Sequence, residues 1–526
     1  MKREDLIAPL QYNLVSEMER YANDKGKIAI KWETSDGLTK EISYEDLMSG
    51  ANKIGNVFLE SGLKKGDVIL IIIPRLIEAY EVYLAALKLG LVVIPSSEML
   101  RTKDLQYRII HGDVKGVISY YPYTDEFEPI PEMNHIVKFT IGKDREGWQR
   151  LDEKMQTASG ELAIADTSRE DMAFLSYTSG TTGNPKAVVH THGWAYAHLR
   201  TAAPHWLCIH ENDVVWATAG PGWMKWIWSP FLAVLGSGAT GFAYHGKFEP
   251  EKYLQLLEKY KVNVLCCTPT EYRLMAKVDH LHEYNLSTIH SAVSAGEPLN
   301  REVIETFQKY FNLKVRDGYG QTENTLLVGI TKDMELKPGS MGKPTPGNTI
   351  AIINDSGEIC PVGEVGDIAV HKDTPALFKE YYKEPERTMA QYRGDYYVTG
   401  DRAKRDEEGY FWFEGRSDDI IISSGYTIGP FEVEDALVKH PFVKECAVVA
   451  SPDKDRGNVV KAFIVLKEGI NETEENLVKL LQRHVKEMTA PYKYPRRIEF
   501  VEHLPKTSSG KIRRVELRNK ELKQFM

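Results

Sequence analysis

The order of apolar runs and helical stretches along the first third of the chain predicts an α/β fold. Residues 68–73 form an aliphatic run that predicts a buried strand, residues 75–88 have helical periodicity, and residues 91–95 predict a second strand. A strand–helix–strand pattern of this kind favours parallel pairing with a right-handed crossover. The alternation continues through 114–120, whereas residues 1 to about 60 look helical and polar.

A second block of alternating elements begins at Met172 and extends past the middle of the chain. Helical stretches at 251–260 and 301–311 separate apolar runs that predict strands. The predicted strands of this block lie at 214–217, 239–244, 262–267 and 289–294. The two blocks together indicate two doubly wound α/β subdomains that pack against each other.

The spacing of apolar runs and the frequency of proline and glycine change after about Thr331. Proline and glycine interrupt short apolar runs there, which is typical of a small, distorted β-barrel. From about Asp418 onward, helices and strands alternate again and predict a separate α+β domain. We therefore expect a large N-terminal domain over residues 1–417 and a small C-terminal domain over residues 418–526.

Composition narrows the class of protein. A hydrophobic content of 42% and a charged content of 27% are typical of soluble globular proteins, and 526 residues are too many for one ordinary core. The net charge of −9 argues against a nucleic-acid partner. The aliphatic run of residues 68–73 is far shorter than a membrane span, and the first residues lack the apolar core of a signal peptide. Five cysteines without a CxxC pair predict a reduced, cytoplasmic protein.

A loop rich in glycine and hydroxyl side chains follows the apolar run 172–175. It reads Tyr-Thr-Ser-Gly-Thr-Thr-Gly-Asn-Pro-Lys over residues 177–186. Glycines let backbone N–H groups turn toward an anion, and the hydroxyls add further donors, so the loop suits phosphate. Its spacing differs from that of the common P-loop. Composition alone would fit a surface loop equally well.

The order of residues in this loop resembles, nearly residue for residue, the signature of the adenylate-forming superfamily. This superfamily contains acyl-CoA synthetases, luciferases and the adenylation domains of peptide synthetases. The resemblance implies that the loop holds the β- and γ-phosphates of ATP. Further motifs follow in the expected order through residue 511, so the resemblance covers essentially the whole chain.

Two of these motifs follow predicted strands in the second α/β block. Residues 294–298 read Ser-Ala-Gly-Glu-Pro at a strand end, where ligands bind in open α/β sheets, although a plain turn would fit as well. Residues 317–323 resemble the nucleotide motif of the family. The resemblance implies that Tyr319 stacks on adenine, Thr322 contacts the α-phosphate and Glu323 binds Mg²⁺. An aromatic face, a hydroxyl and a carboxylate suit a base, an anion and a hard cation.

The third group of motifs lies in the last quarter of the chain. The resemblance assigns ribose contacts to Asp401 and Arg416, a hinge about which a mobile small domain rotates to Asp418, and the catalytic role to Lys511. A carboxylate that attacks a phosphate brings two anions together, so a positioned cation is needed. The residues alone also allow simpler interpretations. The two acidic residues at 418–419 beside Arg416 could form an ordinary salt bridge, and the basic residues from Lys511 onward could be a solvated surface patch.

The resemblance thus implies a set of nucleotide-binding and catalytic residues. The catalytic residues are Lys511, Thr322 and Glu323, with Glu323 also the metal ligand. The residues expected to bind ATP or AMP are Thr178, Ser179, Gly180, Thr181, Thr182, Gly183, Lys186, Gly296, Glu297, Pro298, Asp317, Gly318, Tyr319, Gly320, Gln321, Thr322, Asp401, Phe413 and Arg416.

The CoA and acyl ends of the site are less fully specified. Ser424 and Gly425 match positions that border the pantetheine tunnel, but Thr427 stands where the family usually carries arginine, sometimes glutamine. Six of nine tryptophans fall between residues 194 and 228, where aromatic residues are usually core. The resemblance to the Gly-Trp segment of the family implies that the acyl pocket is formed by Trp223, Met224, Lys225, Ala295 and Gly320.

Gly320 bears on the choice of acid. Acetate-specific relatives carry a bulky tryptophan directly before the Gln-Thr-Glu sequence, whereas this chain has Gly320. We therefore expect acetate to be a poor substrate and longer or branched acids to be better ones. The alternative is that Gly320 only permits a tight turn while Trp223 or Trp226 fills the pocket.

The sequence therefore predicts an AMP-forming acyl-CoA synthetase of the acetyl/medium-chain branch. We expect it to use a short- or medium-chain or branched carboxylic acid, ATP, CoA and Mg²⁺, with no nucleic-acid partner and no membrane span, as a monomer or homodimer. Alternatives are an acetyl- or propionyl-CoA synthetase, or an enzyme that loads a carrier protein, disfavoured because no carrier domain follows Met526. A silent nucleotide-binding homologue is disfavoured by intact Lys511, Glu323 and Asp401.

Overall fold

The chain divides into two compact units in the computed structural model. The first unit consists of Met1–Ile350 and His371–Tyr392, and the second of Ala351–Val370 and Arg393–Met526. The predicted boundary at 417–418 lies inside the second unit and stays a prediction. The structure describes residues 1–178, 185–296, 299, 301–417, 419–423, 426–453, 457–489, 491–506 and 511–525.

The first unit contains a seven-stranded sheet that is parallel except for its last strand, and it includes the strands predicted in the first block. Met172–Thr178, which was predicted to begin the second block, instead pairs with Val92–Pro95 of this sheet. All five residues of the strand at 68–72 are buried, because helices cover both faces of such a sheet. In sheet order the strands are Gln149–Arg150, Val137–Ile141, Val114–Tyr120, Val68–Ile72, Val92–Pro95, Met172–Thr178 and Lys186–Thr191.

The second sheet of the first unit has a parallel centre and antiparallel edges. Its central strands end near Ala295 and Gly318, which lie opposite each other in register. Within this unit the strand order is Thr39–Ser43, Ile28–Thr34, Thr240–His245, Val214–Ala217, Val264–Cys267, Ser291–Ala295, Val315–Gly320, Leu326–Gly329 and Ser340–Pro344.

The expectation that residues 1 to about 60 are helical and polar is wrong for the stretch Ile28–Ser43. Ile28–Thr34 and Thr39–Ser43 form an antiparallel hairpin, and the first of these strands also pairs in parallel with Thr240–His245. A long-range strand partner overrides the weak local preference of such a short segment. The helix Tyr44–Glu60 follows, with Ser43 as its N-cap.

Helices cover the sheets of the first unit. Two of them continue into π-helical turns, His192–Ala202 into Ala203–Leu207 and Met224–Trp226 into Ile227–Ala233. The other α-helices are Ser16–Glu19, Tyr44–Glu60, Ile77–Lys88, Thr102–His111, Leu151–Lys154, Val234–Gly236, Pro250–Lys259, Pro269–Met275, Arg301–Phe311 and Pro385–Ala390. Short 3₁₀ turns lie at Arg3–Leu6, Arg20–Asn23, Tyr121–Phe127, Pro131–His135 and Leu281–Glu283.

The second unit combines short strands with an α+β segment. The short strands are present as predicted, but they group with the α+β segment and not with the large unit, and their closure into a β-barrel stays a prediction. Ile350–Ile353, Val365–His371, Tyr396–Arg405 and Phe411–Arg416 are hydrogen-bonded in that order, and Tyr392–Arg393 pairs with the third of them. The remaining strands are the hairpin Ile421–Ser423 and Tyr426–Ile428, and the three-stranded sheet Val443–Asp453, Gly457–Leu466 and Arg497–Phe500. The helices are Pro430–Val438, Glu474–Met488 and Arg514–Phe525, with a 3₁₀ turn at Pro491–Lys493.

Two tryptophans that were predicted to be core residues are buried in the first unit. Trp206 and Trp216 are 3% and 2% exposed, as predicted. All five cysteines are buried and none is in a disulfide, and Cys266 and Cys267 lie in a strand. Among the described residues, every helix is too short or too polar to cross a membrane.

Candidate active site

The predicted phosphate loop connects two antiparallel strands of the first unit. Met172–Thr178 leads into it and Lys186–Thr191 leads out, with Thr178 directly opposite Lys186. The Thr178 hydroxyl is buried and has no hydrogen-bond partner among the described residues. A buried donor of this kind is suited to a ligand. Five predicted loop residues lie outside the described residues, namely Ser179, Gly180, Thr181, Thr182 and Gly183.

Lys186, Glu323 and Tyr381 meet at the end of this loop. The Lys186 ammonium lies 2.6 Å from Oε1 of Glu323 and donates to the Tyr381 hydroxyl over 2.7 Å. That hydroxyl in turn donates to the same Glu323 oxygen over 2.9 Å. The side chains of Lys186 and Glu323 are only 20% and 9% exposed, and Tyr381 is 1% exposed. Low exposure strengthens each of these charge-assisted contacts.

Backbone pairing brings Tyr381 to this position. The segment 378–382 runs along the edge of Lys186–Thr191, where Val189 and Ala187 exchange hydrogen bonds with it. Phe378 also donates its N–H to the Glu323 carbonyl oxygen over 2.7 Å. The cluster is therefore built from three segments that are far apart in the sequence.

Glu323 is suited to hold a hard cation. Its Oε1 accepts from Lys186 and Tyr381, whereas Oε2 makes no hydrogen bond to a described residue. Magnesium is bound in proteins by one or two carboxylates together with substrate phosphates. One carboxylate oxygen beside a phosphate loop fits that pattern.

Three aromatic side chains hold the segment Thr322–Thr325. His190 Nε2 donates to the Thr322 carbonyl oxygen over 2.5 Å. Trp194 Nε1 donates to the Asn324 carbonyl oxygen over 3.2 Å, and His198 Nδ1 accepts from the Thr325 hydroxyl. Thr322 and Glu323 are thus fixed by residues on one neighbouring strand and helix.

Both histidines are neutral in this arrangement. Burial lowers the pKa of His190 to about 3 and the pKa of His198 to about 4. His198 Nε2 donates to the Trp228 carbonyl oxygen over 2.7 Å, so its Nδ1 carries the lone pair. Their hydrogen bonds therefore persist through the whole neutral range of pH.

Asp317 is buried in the strand Val315–Gly320. Its carboxylate accepts backbone N–H groups from Gly318 over 2.8 Å and from Leu299 over 3.3 Å. Burial nevertheless raises the pKa of the Asp317 carboxyl to about 7, because the two backbone donors only partly replace water. Tyr319 and Gln321, which follow toward the end of the strand, are half-buried.

The neighbouring backbone leaves no room for a side chain at Gly320. A Cβ atom there would lie 2.1 Å from the Thr325 carbonyl oxygen and 2.8 Å from its carbonyl carbon. The antiparallel pairing of this strand with Leu326–Gly329 shifts register at Tyr319 and Gly320, which brings the chains this close. The structure thus favours the view of Gly320 as a residue that permits a tight turn.

The predicted acyl loop reaches the strand ends of the second sheet. The Lys225 ammonium donates to the Ala295 carbonyl oxygen over 2.6 Å, and Met224 accepts from the Ser176 hydroxyl over 3.0 Å. Gly296 follows with a φ of 108°, a left-handed conformation that favours glycine. The predicted residues Glu297 and Pro298 lie outside the described residues.

The tryptophans of this loop divide between core and site. Trp226 is 1% exposed and packs against Tyr80 and Tyr83 at centroid distances of 5.0 and 4.9 Å. Trp223 is half-buried and precedes the helix Met224–Trp226. Trp226 is therefore a core residue, whereas Trp223 keeps the partial exposure that a pocket wall needs.

The predicted ribose residues lie on adjacent strands of the second unit. Asp401 is buried and stands opposite Arg416 in the antiparallel register of Tyr396–Arg405 and Phe411–Arg416. Phe413 lies on the second of these strands, opposite Ala403. The hinge residue Asp418 lies outside the described residues, while the neighbouring Asp419 forms an ion pair with Arg518.

Lys511 is exposed and lies in the second unit beside the bridge between Lys506 and Ile512. The arginines of the basic tail form ion pairs, Arg513 with Glu516, Arg514 with Glu434 and Arg518 with Asp419. The alternative interpretation of these arginines as a purely solvated surface patch is therefore wrong. The predicted CoA residues Ser424 and Gly425, and the side chain of Thr427, lie outside what the structure describes.

Four residues of this site lie outside the motifs and were not predicted from the sequence: Tyr381, His190, Trp194 and His198. The tyrosine lies 58 residues from Glu323 and 195 from Lys186. Trp194 and His198 lie at i and i+4 on the helix His192–Ala202, a spacing that places both rings on one face, whereas His190 lies on the preceding strand. The segment that they hold begins only at Thr322.

Family models match both parts of the chain. The model described as AMP-binding enzyme matches residues 18–382, and that described as AMP-binding enzyme C-terminal domain matches residues 432–511. A relative named “Uncharacterized acyl--CoA ligase YtcI”, from Bacillus subtilis (strain 168), is 65% identical over 99% of this chain and 98% of its own length. Acyl-coenzyme A synthetase ACSM3, mitochondrial, of Rattus norvegicus is 44% identical over 92% of this chain and 86% of its own.

Solved structures have the same fold. The anthranilate CoA ligase AuaEII in complex with anthranoyl-AMP aligns over 100% of both chains with a TM-score of 0.91 and 28% identity. ATP-bound MatB from Rhodopseudomonas palustris aligns over 97% of this chain and 99% of its own, with a TM-score of 0.87 and 27% identity. The α/β fold with a large N-terminal and a small C-terminal part is therefore confirmed.

Proposed function

The chain belongs to the family of AMP-binding enzymes and is an AMP-forming acyl-CoA ligase, and we propose that its acyl substrate is a short- or medium-chain or branched carboxylic acid. The reaction has two halves. The carboxylate and ATP give an acyl-adenylate and diphosphate, and the thiol of CoA then displaces AMP to give the thioester. Acid, ATP and CoA are the substrates.

The cluster of Lys186, Glu323 and Tyr381 is the observation that carries the nucleotide part of this proposal. It places a cation, a carboxylate and a hydroxyl within 2.6 to 2.9 Å of one another at the exit of the hydroxyl-rich loop. Phosphoryl chemistry needs a cation for the phosphate oxygens and a carboxylate for the metal. We assign Lys186 to the phosphates and Glu323 to the metal.

Mg²⁺ is the cofactor that we propose for this site. Bound by Glu323 and the nucleotide phosphates, it would neutralise charge on the phosphates as diphosphate leaves. Tyr381 and Lys186 hold Oε1 of Glu323, so that Oε2 is the oxygen available to the cation. Thr322, fixed through its carbonyl oxygen by His190, would present its hydroxyl to the α-phosphate.

Lys511 is assigned the catalytic role because it occupies the matching position of the family motif in residues 505–511. A lysine ammonium would draw the acid's carboxylate toward the α-phosphate and stabilise the charge that develops there. Asp401 and Arg416, opposite each other on adjacent strands, are the proposed ribose contacts. Asp418 as hinge and Ser424 and Gly425 as CoA contacts remain assignments by motif alone.

The acyl end is proposed from the strand ends of the second sheet. Lys225 contacts Ala295, and Ala295 lies opposite Gly318, so the loop with Trp223 borders the carboxyl ends of two parallel strands. Ligands of open α/β sheets bind at such ends. The backbone requires glycine at position 320, so the proposal of acids longer than acetate rests on the lack of the tryptophan that acetate-specific relatives carry there.

Three alternatives predict different outcomes in one assay: an acetyl- or propionyl-CoA synthetase, an enzyme that loads a carrier protein, and a silent nucleotide-binding homologue. Measuring AMP release with a panel of acids, with and without CoA, distinguishes them. The proposal predicts AMP release that depends on CoA and is faster with butyrate to octanoate than with acetate. Preference for acetate or propionate would instead favour the shorter-chain synthetases, release that needs a carrier protein would favour a loading enzyme, and no release would favour a silent homologue.

We further propose that the protein acts in the cytoplasm as a monomer or homodimer. The five buried cysteines, none of which is in a disulfide, support a reduced compartment. Size-exclusion chromatography with light scattering measures the state of assembly directly. A stable trimer or larger species would contradict the proposal.

A further inference from the structure

We propose that His210, Asp213 and His290 form a surface binding site for a divalent transition-metal ion of the Zn²⁺ class. One ligand atom from each residue lies within 4.8 Å of the other two. The three residues lie just before the amino ends of two neighbouring regions of the second sheet. Asp213 comes directly before Val214–Ala217, and His290 directly before Ser291–Ala295.

The distances fit two imidazoles and one carboxylate around a single ion. His210 Nδ1 lies 3.6 Å and His290 Nε2 lies 2.9 Å from the same oxygen, Oδ2 of Asp213. Donor atoms at about 2.0–2.1 Å from a tetrahedral ion are separated by about 3.4 Å. The two separations from Asp213 thus differ from this value by a few tenths of an ångström, and the two imidazole nitrogens lie within 4.8 Å of each other.

The spacing of the two rings is compatible with this arrangement. The imidazole centroids of His210 and His290 are 4.9 Å apart, with an angle of 28° between the ring planes. Two imidazoles on one tetrahedral ion have centroids about 5 Å apart, by the same bond lengths. The observed centroid spacing is therefore that expected for two imidazoles on one ion.

The backbone holds the buried ligand in place. Asp213 accepts the His210 N–H at Oδ2 over 2.8 Å and donates its own N–H to the His210 carbonyl oxygen over 3.0 Å. His290 donates its N–H to the Asn263 carbonyl oxygen over 2.9 Å. A fixed carboxylate between two imidazoles loses little conformational entropy when an ion binds.

Exposure leaves the site open on one side. The side chains of His210, His290 and Asp213 are 66%, 28% and 10% exposed. Water can therefore occupy a fourth position, as in open zinc sites. Imidazole with one carboxylate suits zinc, cobalt, nickel and copper, whereas magnesium and calcium prefer oxygen ligands alone.

The plainer explanation is that His290 simply donates a hydrogen bond to Asp213. His290→Gln separates the two explanations, because its amide can still donate to the carboxylate but is a poor metal ligand. His210→Ala removes the most exposed ligand. His135→Ala, which removes an exposed histidine that belongs to no group of three potential metal ligands among the described residues, is the control.

The test is titration of the full chain with ZnCl₂ by isothermal calorimetry, repeated with CoCl₂ while the visible absorption of Co²⁺ is recorded. We expect His210→Ala and His290→Gln each to raise the Kd for Zn²⁺ at least tenfold and to weaken the Co²⁺ spectrum. His135→Ala should leave both unchanged, and circular dichroism and AMP release of all variants should match the parent protein.

Equal Zn²⁺ affinity in the parent protein and in His210→Ala would overturn the proposal. Absence of Zn²⁺ binding to the parent at a concentration of about 0.1 mM would overturn it as well. Since neither histidine belongs to the candidate active site, failure of this proposal leaves the proposed function unaffected, and the reverse holds too.

Discussion

The Tyr381 hydroxyl donates a hydrogen bond of 2.9 Å to Oε1 of Glu323. It is buried, and it also accepts from the Lys186 ammonium. One neutral side chain thus orients both charged groups to which we assign the phosphates and the metal. Its role is one of positioning, because no reacting atom is assigned to it.

Replacement of Tyr381 by phenylalanine should weaken the use of Mg·ATP. Hydrogen bonds to charged groups contribute about 1.5–3 kcal/mol, which corresponds to about tenfold or more in affinity. We expect Tyr381→Phe to raise the KM for ATP and the Mg²⁺ concentration at half-maximal rate by about that factor, with a smaller change in kcat. ATP affinity measured by calorimetry at several Mg²⁺ concentrations checks the effect independently of turnover.

Tyr382→Phe is the matched control for this prediction. The Tyr382 hydroxyl makes no hydrogen bond to a described residue, and its ring packs against His111 at 5.8 Å. Its removal should leave the KM for ATP unchanged. Equal effects of the two substitutions, or an unchanged Mg²⁺ requirement in Tyr381→Phe, would contradict the positioning role.

Alanine at Gly320 should destabilise the protein without changing the preference among acids. The new Cβ would collide with the Thr325 carbonyl group, and relief of such overpacking typically costs about 1–3 kcal/mol. We expect a lower midpoint of thermal denaturation and a loss of kcat/KM by a similar factor for acetate, butyrate and octanoate. Parallel assays with the three acids provide the measurement.

Gly220→Ala serves as the control for Gly320→Ala. Its Cβ would meet only side-chain atoms of Arg75, at 3.4 Å or more, so the backbone need not move. We expect this variant to denature near the parent temperature. If Gly320→Ala were instead stable and selectively lost activity toward octanoate, the glycine would be a wall of the acyl pocket.

The buried carboxyl of Asp317 should make stability depend on pH. The pKa of this group is about 7 in the folded protein and about 3.9 in an unfolded chain. Because the folded state retains the proton to higher pH, the contribution of Asp317 to stability is largest at acid pH and decreases as the pH rises from about 4 to about 7. The full difference is on the order of 4 kcal/mol.

Asp317→Asn isolates this contribution, because asparagine has nearly the same shape and does not titrate. Its carbonyl oxygen can still accept from Gly318 or Leu299. We expect urea denaturation to show the parent protein losing stability relative to the variant between about pH 4 and about pH 7, with no further change above. Parallel pH profiles for the two proteins would contradict a raised pKa at Asp317.

Lys511→Ala should abolish the first half-reaction and spare the second. Loss of one preorganised donor to a developing charge reduces rates by about 10²–10³. Diphosphate release measures adenylation, and thioester formation from supplied acyl-adenylate measures the second step. Lys506→Ala, which removes a lysine paired with Glu445 at 2.6 Å, is the control. Equal loss of both steps in Lys511→Ala would contradict the assigned role.

The central strands of both sheets were predictable from the sequence because each is a continuous apolar run bounded by turns. Val114–Tyr120, Val214–Ala217 and the helix Arg301–Phe311 have the bounds that were predicted. The hairpin Ile28–Ser43 was missed, because its register depends on a partner strand that begins at Thr240. Local periodicity contains no information about such a partner.

The site was predictable where a contiguous motif carries it. Lys186 and Glu323 belong to motifs, and they do meet. Tyr381 and Trp194 contact the site through a hydroxyl and an indole N–H, and both would pass as ordinary core aromatics in the sequence. Asp317 was assigned to the nucleotide, but its raised pKa follows from burial, which the motif does not reveal.

The pairing of residues 378–382 with the strand Lys186–Thr191 also has a consequence for synthesis of the chain. Lys186 and Tyr381 are 195 residues apart. At about 5–20 residues per second the ribosome therefore adds Tyr381 about 10–40 s after Lys186. During that interval the edge of Lys186–Thr191 has no partner from this segment. An exposed strand edge is a template for pairing with other chains. Until residues 378–382 are synthesised, the nascent enzyme therefore exposes one additional strand edge to pairing with other chains.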